Sequence, residues 1–563
     1  MQNVTYVLLR RLRIPLIVLI CMYTVSVLGF VLIPGIDDQG RPWRMDFFHA
    51  FYFVSFMGST IGFGEIPYTF TNTQRMWTTL SIYGTVIAWL YGIGTMLSII
   101  QDRAFRALIR ETAFRRTVRR ISEPFYIVCG YGDTGAVLVS ALSHAGIRSV
   151  VIDIDEHRIN AVEIEDLGMD VPAFCADAAD PDILNMAGLS HPRCAGVLAL
   201  TNRDHVNLTI SITSTVIRPG LRTIARAETD SGGENIASLG DVEVINPFQT
   251  FASRLELALH APGLYVLVEW LTGVPRAELG KPVFPPHGKW IVCGFGRFGK
   301  TLYKRLTAEG ITVQLIELDP EGTQAPEDTV LGVGTDAETL QTAGVKQAAG
   351  LVAGTNNDAD NLSIIITARA LNPKLFIVGR QNQRVNEPLF EAAELDLVMQ
   401  RGKKVANKIF ALLTTPLLSE FLDLAARQDN EWANQLVSRI GGVLEDRTPQ
   451  AWTVSITPAE APAVYRMLYE RRTITIGDLL RDHRDREQRL PAVPLLLKRD
   501  RETQLVPDES IELQRGDRVL FAGRPRGKRE MDWTVRNPDV LYYVVTGREP
   551  ASTLIGRLLR PDT

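Results

Sequence analysis

Residues 14–33 are apolar with few breaks, chiefly Pro15, Thr24 and Ser26. At 1.5 Å per residue, a helix of this length crosses a hydrocarbon core of about 30 Å. A second apolar run, from about residue 76 to residue 100, contains no charged side chain and predicts a second span. Between the two, residues 47–57 are apolar but too short to cross, so they are predicted as a re-entrant helix. From residue 124 the pattern changes to short apolar runs ending in glycine or an acid, alternating with amphipathic stretches, the rhythm of parallel strands joined by helices. Near the C-terminus, residues 491–500 and 513–523 are short apolar runs bounded by turn residues, Gly516-Asp517 among them, and they predict a small strand-rich lobe.

The segment after the short apolar run reads Thr60-Ile61-Gly62-Phe63-Gly64. A dehydrated monovalent cation crosses a membrane where oxygens replace its water, and a ring of backbone carbonyls does this. Turning successive carbonyls toward one axis needs backbone conformations closed to residues with a Cβ, so glycine is expected at alternate positions. Gly62 and Gly64 supply them. Thr60 adds a hydroxyl at the inner end, Ile61 and Phe63 are expected to pack outward, and the carbonyl end of the re-entrant helix favours a cation before it. The segment resembles the potassium-channel selectivity filter, which makes K+ the permeant ion. Phe63 stands where tyrosine is usual in that family and Glu65 where aspartate is usual, which bears on the filter's rigidity and degree of selectivity, not its place.

Charge sets the orientation. Arg10, Arg11 and Arg13 precede the first span and Arg103, Arg106, Arg110, Arg115, Arg116, Arg119 and Arg120 follow the second, so both termini are expected in the cytoplasm of a multi-pass protein of the plasma (inner) membrane. These arginines also suit anionic lipid headgroups. The first run is too long for a cleavable signal and no small-residue cleavage site follows it. A chain of 563 residues with 22% charged side chains must nonetheless be mostly water-soluble, and residues 101–563 suffice for two or three domains. A net charge of −4 argues against a general nucleic-acid binder. The five cysteines show no metal-ligand spacing and suit a reducing compartment.

An internal repeat organises the soluble part. The strand and turn of residues 125–135, ending Gly130-Tyr131-Gly132-Asp133-Thr134-Gly135, return 164 residues later as Gly294-Phe295-Gly296-Arg297-Phe298-Gly299. In both copies the next strand ends in an acid, Asp153 or Glu317, 18 residues past the third glycine. Further on, Thr201-Asn202-Arg203-Asp204 with Asn207 matches Thr355-Asn356-Asn357-Asp358 with Asn361. Strand, glycines, helix and acid together make two Rossmann-type units, each a seat for a pyrophosphate at a helix N-terminus with the acid on the ribose hydroxyls. Such acids disfavour a 2′-phosphate, so NAD or an adenine nucleotide such as ADP is expected rather than NADP. Arg297 should suit a phosphate and Asp133 should repel it unless a cation bridges them, so the second unit is expected to be the stronger site, and the first weaker or dependent on a divalent ion.

Two spans around a filter, then tandem Rossmann-type units, resemble the ligand-gated two-transmembrane potassium channels with RCK (regulator of potassium conductance) domains. The resemblance covers nearly the whole chain and implies a helical pore domain, residues 1–101, a linker, 102–123, a first RCK domain, 124–283, a second RCK N-lobe with its connecting helices, 284–440, and a C-terminal lobe, 441–563. It implies a homotetramer whose cytoplasmic gating ring binds NAD or ADP, with Ca2+ as a further candidate ligand. Its nucleotide-contacting set is Gly130, Gly132, Gly135, Asp153, Asp177 and Thr201 in the first unit, and Gly294, Gly296, Arg297, Gly299, Glu317, Asp336 and Thr355 in the second. Helices at residues 247–270 and 403–424 are expected to clasp neighbouring domains. Gly92 and Gly94 mark a hinge on the second span and Leu97, about one turn lower, an apolar constriction. Asp508, Glu509 and Glu512 are acids that a divalent ion or plain water would suit. The rivals are a membrane-anchored NAD-dependent oxidoreductase, for which the eight histidines offer no metal spacing, and a regulatory subunit of a separate transporter, which would need no filter.

Overall fold

Both long apolar runs form helices in the computed structural model, which describes residues 2–63, 66, 68–273, 279, 283–445 and 447–548. The chain divides into two bodies, Met1–Arg120 and Ile121–Thr563. In the first, helices Gln2–Leu32 and Asn72–Gln101 are long and apolar enough to cross a membrane. The second begins in a capping box, Thr71 and Gln74 each satisfying the other's backbone N–H. Gly29 lets the two meet: a Cβ there would stand 2.0 Å from the Trp77 ring, whose indole N–H donates to Ser26 O at 3.1 Å. The short run is a helix, Phe47–Gly58, N-capped by Asp46 and packed through Phe53, Val54 and Phe56 onto Val27 and Phe30. Asp102 ends the second long helix, caps the next one, Arg103–Arg119, and pairs with Arg11, so the expected linker is mostly helical.

The second body holds two parallel six-stranded sheets, each in the local strand order 3-2-1-4-5-6. The first unit begins with strand Phe125–Cys129 and the second with Trp290–Cys293; strands 3, 4 and 5 are Ala173–Cys175, Cys194–Ala199 and Arg222–Arg226 in the first and Val330–Leu331, Gly350–Ala353 and Phe376–Gln381 in the second. This doubly wound order creates a crevice between strands 1 and 4, where the order reverses. The central strands are buried on both faces, which explains their continuous apolar runs, while the edge strands Ala173–Cys175 and Val330–Leu331 are partly exposed.

Each unit is followed by a bent helix pair, Pro247–His260 with Pro262–Thr272 and Arg401–Thr414 with Pro416–Ala425. The pairs are exchanged. Phe248, Phe251 and Leu255, which follow the first unit, pack on Trp290, Val292 and Phe298 of the second. Val405, Ile409 and Leu412, which follow the second, pack on Val128, Leu138 and Leu142 of the first. The expected clasp is thus reciprocal and lies within one chain. The pair at residues 402–425 also has the composition of a span, but it bends by 112° and its apolar side is buried in these cores. Where the two pairs meet, Arg254 and Lys404 share the carboxylate of Glu269.

The predicted strand-rich lobe is an antiparallel four-stranded sheet that includes Ala492–Arg499 and Arg518–Gly523, with helices Pro462–Tyr469, Pro525–Arg536 and Pro538–Thr546. Its turn at Gly516 has φ +91°, and buried Asp517 receives two bonds from the Arg499 guanidinium, at 2.9 and 2.8 Å.

Candidate functional site

The short helix of the first body ends by turning its chain back. Ile61 and Gly62 both donate their N–H to Phe56 O, at 3.0 and 3.3 Å, and Thr60 and Gly62 take φ of +62° and +66°. Gly62 does so at little cost. For β-branched Thr60 the same conformation is strained, by about 1–3 kcal/mol, and such strain concentrates at functional loops. Ile61 and Phe63 are exposed, the Phe63 ring resting edge-on against Phe56 at 6.2 Å. Gly64 and Glu65 lie outside the described residues. The second long helix runs unbroken through Gly92 and Gly94, a Cβ at either would meet nothing within 4 Å, and Leu97 is 53% exposed on the same helix.

In the second body the glycines of both turns do what their spacing predicts. Gly130 and Gly294 have φ of +103° and +93°, and a Cβ on Gly135 or Gly299 would come within 2.0 or 1.9 Å of the first glycine's carbonyl oxygen, so only glycine allows the helix to start so close to the strand. Each turn leads into a helix, Asp133–His144 or Arg297–Ala308. Asp153 and Glu317 lie at the ends of the neighbouring strands and fold onto the turns: Asp153 accepts from Tyr131 N–H at 2.5 Å and from Asp155 N–H at 2.8 Å, and Glu317 accepts from the N–H groups of Phe295, Leu318 and Asp319.

Thr201 and Thr355 border the same crevices, since the nearest atoms to a Cβ on Gly130 or Gly294 include the N of Thr201 or Thr355. Their hydroxyls are bonded to the asparagine six residues on: Asn207 Oδ1 accepts from Thr201 N–H and Oγ1–H at 3.0 and 2.8 Å, and Nδ2 donates to Arg226 O at 2.7 Å. Asn361 repeats this with Thr355 and Arg380 O. The repeated motif is therefore a clamp that ties the loop after strand 4 to the end of strand 5, completed by Asp204 and Asp358, which accept from backbone N–H groups of the latter. Asp177 lies in the loop after strand 3 and accepts from Ala179 N–H at 2.9 Å; Asp336 caps the helix Ala337–Thr342, and the Thr339 N–H and hydroxyl hold its carboxyl below the usual carboxylate range.

Charges around the two turns are arranged in a way the sequence conceals. Arg297 reaches out of its own unit to Glu228 of the first, at 2.9 Å, lying over the Phe248 ring. Glu228, 4% exposed at its side chain, is also paired with Arg226, whose Nη1 donates to Thr134 Oγ1 at 3.3 Å at the start of the first turn's helix. A polar path, buried at Arg226 and Glu228 and exposed at Arg297, thus joins the two turns. Over Gly132, by contrast, stands Arg158, a residue that no sequence motif singles out. Among the described residues no group of three or more His, Cys, Asp or Glu is placed to hold a metal ion.

Residues 126–247 and 290–401 each match the TrkA-N domain. Potassium channel protein 1 of Methanocaldococcus jannaschii is 28% identical over 36% of this chain and 59% of its own length. The voltage-gated potassium channel Kch of Escherichia coli is 24% identical over 37% of this chain and 48% of its own. The chain thus spans less than two thirds of either relative. Among solved structures, the GsuK channel bound to NAD covers 95% of this chain at 16% identity, with a TM-score of 0.46.

Proposed function

We propose that this chain is one subunit of a potassium-selective channel whose opening is set by nucleotides bound to its Rossmann units. The observation that carries the reading is the left-handed Thr60–Gly62 turn at the end of a short apolar helix, set between two helices long enough to span. Carbonyls presented there can replace a potassium ion's water. The tandem TrkA-N matches and the potassium channels among the relatives support it.

One chain supplies one loop, so a closed pore takes several copies, and a homotetramer in the plasma membrane with both termini cytoplasmic fits the loop and the flanking arginines. The nucleotide class is NAD or ADP, because Asp153 and Glu317 stand where a 2′-phosphate would meet a carboxylate. A ligand that binds one conformation of the cytoplasmic units better than another shifts the pore equilibrium by that difference in affinity and no more. The shift reaches the pore along the chain at residues 102–123, and Leu97 is the apolar constriction it opens. The reading assigns the chain no catalysis.

The test is purified protein in planar bilayers, with potassium and sodium currents compared while NAD, ADP and Ca2+ are added to one side at a time. Potassium-selective current that a nucleotide changes is the expected result. Steady NADH turnover without ion flux would instead point to a membrane-anchored oxidoreductase.

A further inference from the structure

We infer that Arg158 is the phosphate clamp of the first Rossmann unit, and that this unit takes the diphosphate of a nucleotide without a bridging metal ion. The inference rests on the nucleotide-gated reading above and specifies one of its two sites.

The second glycine of a Rossmann turn is where the backbone and the ligand's pyrophosphate come closest. In the first unit the residue after it is Asp133, which opens the helix with a negative charge. A diphosphate there needs a positive partner. Arg158, on the first turns of helix Glu156–Ile164, places its Nη1 3.5 Å from the position of a Cβ on Gly132. Its present partners hold it loosely, Asp153 at 3.5 Å and Asp155 at 3.6 Å, both long for charge-assisted bonds. Asp153 already accepts two backbone N–H groups. A guanidinium has five donors in a planar fork matched to phosphate oxygens, and here several remain for a ligand while the two aspartates keep it beside the turn.

The second unit is the counter-example within the same chain. Counting from the acid, the position of Arg158 is taken by Gly322, and a Cβ on Gly296 would meet nothing within 4 Å. The turn's own cation, Arg297, is engaged by Glu228. The arginine expected to favour the second unit is thus committed across the interface, and the one over an open turn belongs to the first. The tighter diphosphate site is the first unit.

Binding of ADP and of NAD to the full-length detergent-solubilised protein tests this, with and without chelator. Gly296→Asp removes the second turn's access for phosphate and, with open space at that position, should leave the fold intact by circular dichroism. Adding Arg158→Gln to it should weaken ADP on the order of 10- to 100-fold, the loss of a charge-assisted bond, and flatten the salt dependence, while Arg158→Lys should recover part of the affinity. Equal ADP affinity with and without Arg158→Gln overturns the clamp. So does binding that vanishes with chelator, which would assign the bridging to a metal ion. Nucleotide binding that survives Gly132→Asp and is abolished by Gly296→Asp overturns the ranking but leaves nucleotide gating standing. Wild-type protein that binds neither nucleotide overturns both.

Discussion

Gly62 and Glu269 show how much single residues decide. Gly62 holds φ at +66° in the loop after the short helix, so Gly62→Ala should assemble normally yet carry no potassium-selective current, read in bilayers against the wild type. Glu269 is the only carboxylate bonded to both Arg254 and Lys404 among the described residues. Burial pushes its carboxyl up, but the two cations outweigh that and hold it below the usual range; Lys404, desolvated and sharing one carboxylate with Arg254, lies below its own usual value. Glu269→Gln strands a largely buried guanidinium, and about 3 kcal/mol of stability should be lost at neutral pH. Because the folded carboxyl is more acidic than the unfolded one, its contribution is complete above the ordinary carboxylate pKa of about 4.3 and fades as pH falls below it. The melting-temperature gap between wild type and Glu269→Gln should therefore shrink on acidification. The glycine turns, their acids and the Thr-Asn-x-Asp-x-x-Asn motif were legible in the sequence because their geometry is local. The partner of Arg297 was not: Glu228 is distant along the chain and in the other unit, and no spacing rule links them. Arg158 carried no signal either, since a basic residue on an amphipathic helix reads as solvated.

Helices were legible as amphipathic, but amphipathicity does not say which sheet a helix covers. The connecting helices were recognisable from their apolar spacing, but the breaks before Pro262 and Pro416, and the packing of each pair on the other unit's core, come only from the three-dimensional structure. Gly402 is a sensitive point of this exchange, since a Cβ on it would stand 2.7 Å from the Asp133 backbone. Gly402→Leu should separate the helix Arg401–Thr414 from the first unit and cost about 2 kcal/mol, read as a lowered melting temperature. Residues 121–273 and 283–548 produced separately should each aggregate, every sheet lacking part of the helical cover on one face, whereas together they should form a soluble pair detectable by size-exclusion chromatography.

On the proposed function, the loop after the short helix and the glycine turns of the two units act through one conformational equilibrium of the whole molecule. If Leu97 forms the constriction, Leu97→Asp hydrates it and should raise current without ligand; unchanged basal current would place the gate elsewhere. The exchange of helices has a consequence in time as well as in space. One face of the sheet begun at Phe125 is covered only in part by its own helices until residues 401–414 have been made, and at ribosomal rates of about 5–20 residues per second that wait is on the order of 15–60 s. Throughout it an apolar surface faces water, and the contacts that finally close it are among the most distant in the chain, which slows folding further. A cell producing this protein must therefore shelter the first unit during synthesis, and its yield should depend on chaperone supply more steeply than that of a protein whose Rossmann units close on their own helices.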